Sequence, residues 1–332
     1  MKRNIIIMAA SLLVVFLVYS ALQLVMPLPF GNQSMEFEIK RGSSFKEIVE
    51  GLSEKGILRD KWVFLLLGRV TGADRKIKAG FYPLWGSMSP LQIFNAIRKG
   101  KIIEYEITVI PGDSLWEIGE KFSSVIGTEP AEFQKLCTDR EFLEAFDVDA
   151  PSLEGYLFPD TYRFPKGLDA KDVLILMLNR MRDQFDEEMM MRQMELNVSE
   201  KEVLTMASIV EKEAISEGER TVIAGVYYNR LKKHMLLQAD PTAIYGVKSS
   251  KERITKADLL KKTAYNTYFI KGLPPGPIAS PGLKSIRAAL NPSDVPYLYF
   301  VSNQDGTHTF SVTLGEHAEA VKAYREKRGT RG

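Results

Sequence analysis

Apolar positions along this chain fall into three regimes. The first is continuous. From Ile5 to Met26, about 22 residues carry no charge, and Ser11, Tyr19, Ser20 and Gln23 are the polar interruptions. A run of that length predicts a helix able to span a hydrocarbon core of roughly 30 Å. The second regime is short alternation: Phe37-Glu-Ile-Lys40 and Tyr105-Glu-Ile-Thr-Val-Ile110 read as strands. Each leads into a similar turn and helix, Gly42-Ser-Ser-Phe-Lys-Glu-Ile48 and Gly112-Asp-Ser-Leu-Trp-Glu-Ile118, which agree at Gly, Ser, Glu and Ile. Ser43 and Asp113 are placed to cap these helices. Ser89-Pro-Leu-Gln-Ile93 is a fainter third copy, with Pro90 at the first helical position. The irregular spacing predicts small αβ units and not a solenoid.

The third regime has the helical period. Pro130 to Phe146 reads as a helical connection, and Asp169 to Met194 as one long helical run whose Met residues imply no cofactor. A capping box, Ser199-Glu-Lys-Glu202, then opens a further helix. At about 100° per residue, Val203, Leu204, Met206, Ala207, Ile209, Val210 and Ala214 fill one arc, and Lys201, Thr205, Ser208 and Lys212 the other. Glu211 and Glu213 fall on the apolar arc near opposite edges, roughly 160° apart, so they cannot both enter one cleft. Pattern does not choose between them, and two surface glutamates at a fraying helix end would read the same way.

Further on, Tyr227-Tyr-Asn-Arg-Leu231 sits on another helix. Leu237-Gln-Ala-Asp-Pro-Thr-Ala-Ile-Tyr-Gly246 is a loop entering a short helix, with Asp240 before Pro241 as an expected N-cap. Pro151 to Tyr162, Thr263 to Tyr268 and Gly272 to Gly282 are loops rich in aromatics, amides, Gly and Pro. Such loops suit sugars, whose faces stack on rings while Asn, Gln, Ser and Thr bond hydroxyls, although structural loops share this composition. Pro296 to Val301 reads as a strand paired with His308-Thr-Phe310 across the Asp305-Gly306 turn, with Tyr297, Phe300 and Phe310 as core.

Composition narrows the chemistry. The net charge of +2 gives no reason to expect nucleic acid as partner. Cys137 is the one cysteine, which rules out an internal disulfide and a cysteine-ligated zinc. His234, His308 and His317 fall in no HExxH pattern, and the chain has no GxSxG elbow or Walker loop. No metal and no cofactor is therefore expected. Lys2 and Arg3 precede the apolar run, and no comparable basic cluster follows before Lys40. The positive-inside rule puts the N-terminus in the cytoplasm and everything after Pro27 outside. The run is longer than a signal-peptide apolar region and lacks a small-x-small site at its end, so it reads as a retained single-pass anchor.

What remains is the pair of glutamates in Met206-Ala-Ser-Ile-Val-Glu-Lys-Glu-Ala214. A carboxyl in apolar surroundings is costly to ionise, so it can act as a general acid near neutral pH, as cleavage of a glycosidic bond requires.

Two resemblances sharpen this. Ile107-Thr-Val-Ile-Pro-Gly-Asp-Ser-Leu-Trp-Glu-Ile-Gly-Glu-Lys-Phe122 resembles a LysM motif, a family that binds N-acetylglucosamine-containing glycans. A structural αβ module that has lost its sugar contacts fits that segment as well. The whole chain resembles the endolytic murein transglycosylases of the MltG/YceG-like type. The match is densest in Glu154-Gly-Tyr-Leu-Phe-Pro-Asp160, Ala207-Ser-Ile-Val-Glu-Lys-Glu213, Asn229-Arg-Leu231, Leu237 to Gly246, Thr263-Ala-Tyr-Asn-Thr-Tyr268, Gly272-Leu-Pro-Pro-Gly276 and His308-Thr-Phe310. The resemblance implies an α+β protein: anchor over 1–27, an αβ region with a LysM-like subdomain over 36–150, and a catalytic domain with a lysozyme-like active-site helix over 151–332. It implies Glu213 as the catalytic residue. Ala214 stands where the family commonly has a hydroxyl, which puts in doubt only a role for that hydroxyl. Glu211, Asn229, Gln238, Asp240, Thr242, Tyr265, Asn266 and Ser280 are candidates for substrate binding. The implied reaction cuts peptidoglycan glycan strands to 1,6-anhydromuramic ends next to the cell (inner) membrane, with peptidoglycan synthases (penicillin-binding proteins) as partners. A muramidase using Asp240 or Asp160 as second carboxylate, and a non-catalytic glycan-binding scaffold, stay open on the residues.

Overall fold

The structure is a computed structural model that describes residues 2–27, 34–72, 77–248, 252 and 254–329, with side chains described as far as 326. It is a mixed helix and strand fold. The chain forms two compact units: Met1–Tyr105 with Arg163–Leu168, and Glu106–Tyr162 with Asp169–Gly332.

In the first unit, α1 (Lys2–Val25) is long and apolar enough to cross a membrane, and none of it is buried. Strand β1 (Ser34–Ile39) pairs antiparallel with β2 (Gly80–Trp85), Phe37 standing opposite Tyr82. The period of two puts Phe37, Ile39, Tyr82 and Leu84 on one face, and all four are buried. They share a core with α2 (Phe45–Glu54), α3 (Lys61–Thr71) and α4 (Pro90–Arg98). Phe64 stacks on Phe45 at 6.0 Å and meets Phe94 edge-on at 5.5 Å. Each buried ring contributes roughly 1.5–3 kcal/mol. Gly68 lets α3 reach that cluster, since a Cβ there would lie 2.0 Å from the Phe45 ring.

The second unit continues with α5 (Leu115–Ile126), α6 (Pro130–Cys137) and α7 (Arg140–Ala145). Strands β3 (Glu104–Thr108) and β4 (Thr161–Pro165) pair with each other, and the division between the units falls within each of them. This division falls at Tyr105, inside the region expected over 36–150. The reason is backbone bonding: Gly112 N–H donates to Ser280 O at 2.8 Å, and Ser280 N–H to Asp113 O at 2.7 Å.

The strand–turn–helix repeat is present, with its caps shifted by one residue. Ser44 and Ser114, not Ser43 and Asp113, cap α2 and α5 through capping boxes with Glu47 and Glu117. Asp113 instead accepts from Ile110 N–H and pairs with Lys121. Both turns use a glycine with φ near +85°, Gly42 and Gly112, where other residues are strained.

The long helical run expected over 169–194 is two helices, α8 (Ala170–Arg182) and α9 (Glu187–Leu196). Asp186 breaks the run by capping Met189 N–H, a local bond that competes with helix continuation. Helix α10 (Glu200–Glu213) then begins at Ser199 with the expected capping box. It packs against α11 (Arg220–Lys232) and α14 (Leu283–Leu290), with α12 (Asp240–Ile244) and α13 (Lys256–Leu259) between them in sequence. Every residue from Val203 to Val210 is buried, including Thr205 and Ser208 on the expected polar arc. Their hydroxyls are satisfied locally: Thr205 donates to Lys201 O, and Ser208 donates to Thr205 O while accepting from Ile278 N–H. The chain closes with the hairpin β5 (Tyr299–Ser302) and β6 (His308–Ser311) and with α15 (Leu314–Gly329).

Gly155 is the tightest glycine of this unit, at φ +78° with Pro277 Cβ 2.3 Å from where its own Cβ would stand. Gly155→Ala combines a left-handed backbone with that overlap, and a loss of roughly 3 kcal/mol is expected. Urea unfolding measures it, and a loss under about 1 kcal/mol would show that the loop shifts freely.

Candidate active site

Glu213 is the last residue of α10, and the chain leaves the helix at once because Ala214 is extended. A single 3-10 turn, Glu217–Glu219, leads into α11, which brings Tyr227 back to α10. The buried Tyr227 hydroxyl donates to Glu213 Oε1 at 3.1 Å. Phe300 holds the Tyr227 ring edge-on at 5.9 Å. One turn further on, the buried Arg230 guanidinium donates to Leu298 O at 2.6 Å and Leu237 O at 2.7 Å, and lies over the Tyr299 ring. Asp240, at the start of α12, accepts from the Tyr268 hydroxyl at 2.6 Å.

Glu213 is half-buried, and its carboxyl is set deep among protein atoms. Burial pushes its pKa up to about 7, and the Asp240 charge adds to the rise. The Tyr227 hydrogen bond and the Arg230 charge pull the other way. The outcome is a carboxyl that can both give and take a proton near neutral pH.

Glu211 faces elsewhere, as the 160° separation requires. It accepts from Gly282 N–H at 2.9 Å and pairs with Arg220 at 3.3 Å, and so ties the starts of α14 and α11 to α10.

The other sequence candidates are placed as follows. Asp240 is not an N-cap: Ala239 holds that position and Asp240 makes no capping bond, its carboxylate being taken by Tyr268. The Asn229 amide donates to Val295 O and Tyr297 O, which secures the approach to β5. Thr242 and Asn266 are fully buried; Thr242 bonds Thr267 and Ala239 O, and Asn266 bonds Leu259 O and Lys261 O. Gln238 is exposed at φ +48°, its N–H donating to Thr267 O. Tyr265 packs on Tyr245 at 4.5 Å. Ser280 is buried, and its hydroxyl makes no hydrogen bond among the described residues. Asp160 is paired with Arg180. Of these candidates, Asp240 acts on Glu213 through its charge, whereas Glu211, Asn229, Thr242 and Asn266 are engaged in bonds that hold the fold.

Sequence pattern passes over Tyr227, Arg230 and Tyr268. The i, i+3 spacing of Tyr227 and Arg230 on one helix face is the one signal it offers. It also gives no site role to a second perturbed carboxyl, Glu154, which opens one of the segments that carry the family resemblance. Glu154 accepts from Leu115 N–H at 3.1 Å and from the Tyr245 hydroxyl at 3.0 Å. Burial pushes its pKa to about 7 against those two bonds. It lines a cavity of about 560 Å³ with Trp116, Lys212, Tyr245 and Ile278. Glu213 lies outside that lining, although Lys212 is its chain neighbour. Among the described residues, no group of three or more His, Cys, Asp or Glu is arranged to hold a metal ion.

The chain is similar to several known proteins. It is 32% identical over 306 residues to the endolytic murein transglycosylase of Bacillus subtilis, covering 88% of this chain and 85% of that protein. A Streptococcus pneumoniae protein of the same name is 29% identical over 80% of this chain, which spans 53% of that longer relative. A yceG-like protein of Listeria monocytogenes, solved by crystallography, superposes with a TM-score of 0.61 at 32% identity, over 86% of this chain and 98% of that one. Residues 37–323 match the YceG-like family, and the chain belongs to that family.

Proposed function

We infer that this chain is a lyase, an endolytic murein transglycosylase that cuts the bond between N-acetylmuramic acid and N-acetylglucosamine within peptidoglycan strands. The observation that carries this is Glu213, a half-buried carboxyl with a pKa near 7, hydrogen-bonded by Tyr227. The names of the Bacillus subtilis and Streptococcus pneumoniae relatives support it. One such carboxyl suffices. Protonated Glu213 gives its proton to the bridging oxygen as the muramic C1–O bond breaks. The resulting carboxylate takes the proton of the muramic C6 hydroxyl as that oxygen bonds to C1. A 1,6-anhydro ring forms, no water is consumed, and Glu213 ends protonated as it began. Asp240 favours the protonated starting state by its charge, and Gln238 and Tyr265 are candidates for contacts with the sugars.

The lysozyme-like active-site helix in this reading is α10. The LysM-like segment 107–122 supplies placement along the glycan and no chemistry: Trp116 at the start of α5 lines a cavity whose lining leaves out Glu213. Helix α1 is the single-pass anchor. Lys2 and Arg3 keep the N-terminus cytoplasmic, and the catalytic part works outside the membrane on strands newly made by peptidoglycan synthases.

Mass spectrometry of sacculi digested by the full chain tests the reading. Anhydromuramic ends are expected. Reducing ends would make the protein a hydrolase with Asp240 as second carboxylate, and the absence of product would leave a glycan-binding protein.

Tyr227→Phe gives a finer test. It removes a hydrogen bond that favours the carboxylate, so the Glu213 pKa should rise. The alkaline limb of the pH–activity profile should therefore move upward. A limb that moves down contradicts the role given to Tyr227.

A further inference from the structure

Helix α3 buries Val63, Phe64 and Gly68 in the core of the first unit. Its other face leaves Trp62 71%, Leu66 45% and Val70 77% exposed. The i, i+4, i+8 spacing aligns these three side chains in one stripe. Arg59, Lys61 and Arg69 are exposed beside it, and Lys61 Nζ stands over the Trp62 ring. Asp60, which precedes α3, is engaged: it caps α3 through Trp62 N–H and accepts from the Tyr19 hydroxyl of α1 at 2.9 Å. Arg59 donates to Pro27 O at 2.9 Å. These two bonds set the start of α3 against the outer turns of α1. The short linker points the same way: eight residues lie between Val25 and Ser34, and the nine Cα–Cα steps they make, at about 3.5 Å each, cannot exceed roughly 30 Å. An indole and aliphatic side chains on one helix face, with basic residues nearby in the chain, are the composition that settles at a membrane–water interface.

We propose that α3 is an interfacial helix whose Trp62–Leu66–Val70 stripe lies in the headgroup region of the bilayer that α1 spans, with Arg59, Lys61 and Arg69 toward anionic lipid headgroups. The proposal rests on α1 being a membrane anchor. It gives the first unit a second attachment to the membrane, which fixes its face toward the bilayer where a single span would leave it free to rotate.

The test uses the full chain reconstituted in vesicles of phosphatidylcholine and phosphatidylglycerol. Trp85 and Trp116 are replaced by Phe, so that Trp62 reports alone; α1 holds no tryptophan. With brominated acyl chains, Trp62 should lose about half of its emission, as expected for a ring buried roughly 5–10 Å into the headgroup boundary. Leu66→Glu with Val70→Glu should restore that emission and shift it to the red. Both positions are exposed, so circular dichroism should not change. If the double-Phe chain misfolds, Trp62→Phe in the otherwise native chain gives the same signal by difference. Protein that floats with the vesicles while Trp62 stays unquenched overturns the proposal and leaves the anchor standing. A blue-shifted but unquenched Trp62 means that protein covers the stripe, and overturns it as well. Protein that does not float at all overturns the anchor and the proposal together.

Discussion

Replacing Glu213 by Gln is expected to lower peptidoglycan cleavage by about 10²–10⁴-fold, the usual contribution of a positioned general acid–base. Gln keeps the size of the side chain and can still accept from Tyr227, but it has no carboxyl proton to give. The same variant has a stability signature. The folded pKa is near 7, above the ordinary carboxylate value of 4.5. Below about pH 4.5 the group is protonated in both states and linkage adds nothing. Between there and about pH 7 the unfolded chain releases its proton while the folded chain holds on, so stability falls as pH rises. Glu213→Gln removes that loss. Its thermal midpoint should match the parent near pH 4 and exceed it near pH 8. Glu211→Gln should do the reverse: milder on activity and destabilising by about 1–3 kcal/mol, because Arg220 loses its charged partner. Anhydromuropeptide release and thermal midpoint on both variants decide the matter. An inactive Glu211→Gln beside an active Glu213→Gln would reverse the assignment. Activity in both would remove the single-carboxyl mechanism.

The features that sequence pattern reached are local ones. Ser199 and Glu202 meet within one turn, so the start of α10 was readable, as were the apolar run of α1 and the β5–β6 pair. The opposed directions of Glu211 and Glu213 followed from helical periodicity alone. What escaped depends on distant partners. Tyr227 lies 14 residues from Glu213, and Tyr268 28 residues from Asp240; no spacing rule joins them. Thr205 and Ser208 look solvent-facing until the packing of α14 and the Ile278 backbone covers them. Asp240 resembled a cap because Asp-Pro often is one, but the helix starts one residue earlier and frees its carboxylate for Tyr268. The cap of α5 was misplaced for a related reason. Asp113 and Ser114 both suit the position, and only Ser114 has a glutamate three residues on. The LysM-like segment was visible as a motif, whereas its backbone ties to Ser280 and Glu154 were not.

Glu154 shows how such a hidden tie can dominate stability. Glu154→Ala is expected to cost about 2–6 kcal/mol, since it strands two donors, Leu115 N–H and the Tyr245 hydroxyl, each worth roughly 1–3 kcal/mol when left unsatisfied. Leu115 is the first residue of α5, where the helix itself supplies no partner for that N–H. Glu154→Gln keeps one acceptor oxygen and should fall between parent and Ala. The pH dependence separates charge from hydrogen bonding. Like Glu213, Glu154 has its folded pKa raised from 4.5 to about 7 by burial. Each therefore makes the parent less stable as pH rises from about 4.5 through 7, and each Gln substitution should remove part of that slope. Glu154→Gln should lie furthest below the parent at acid pH, where the parent carboxyl is protonated, and close the gap as pH rises. Urea midpoints at about pH 5 and pH 8 for the parent, each Gln variant and the double variant measure this. A slope that persists unchanged in the double variant would show that neither carboxyl titrates where its burial places it. Glu154→Ala with parent-like stability would show that the tie between α5 and Tyr245 contributes nothing to the fold.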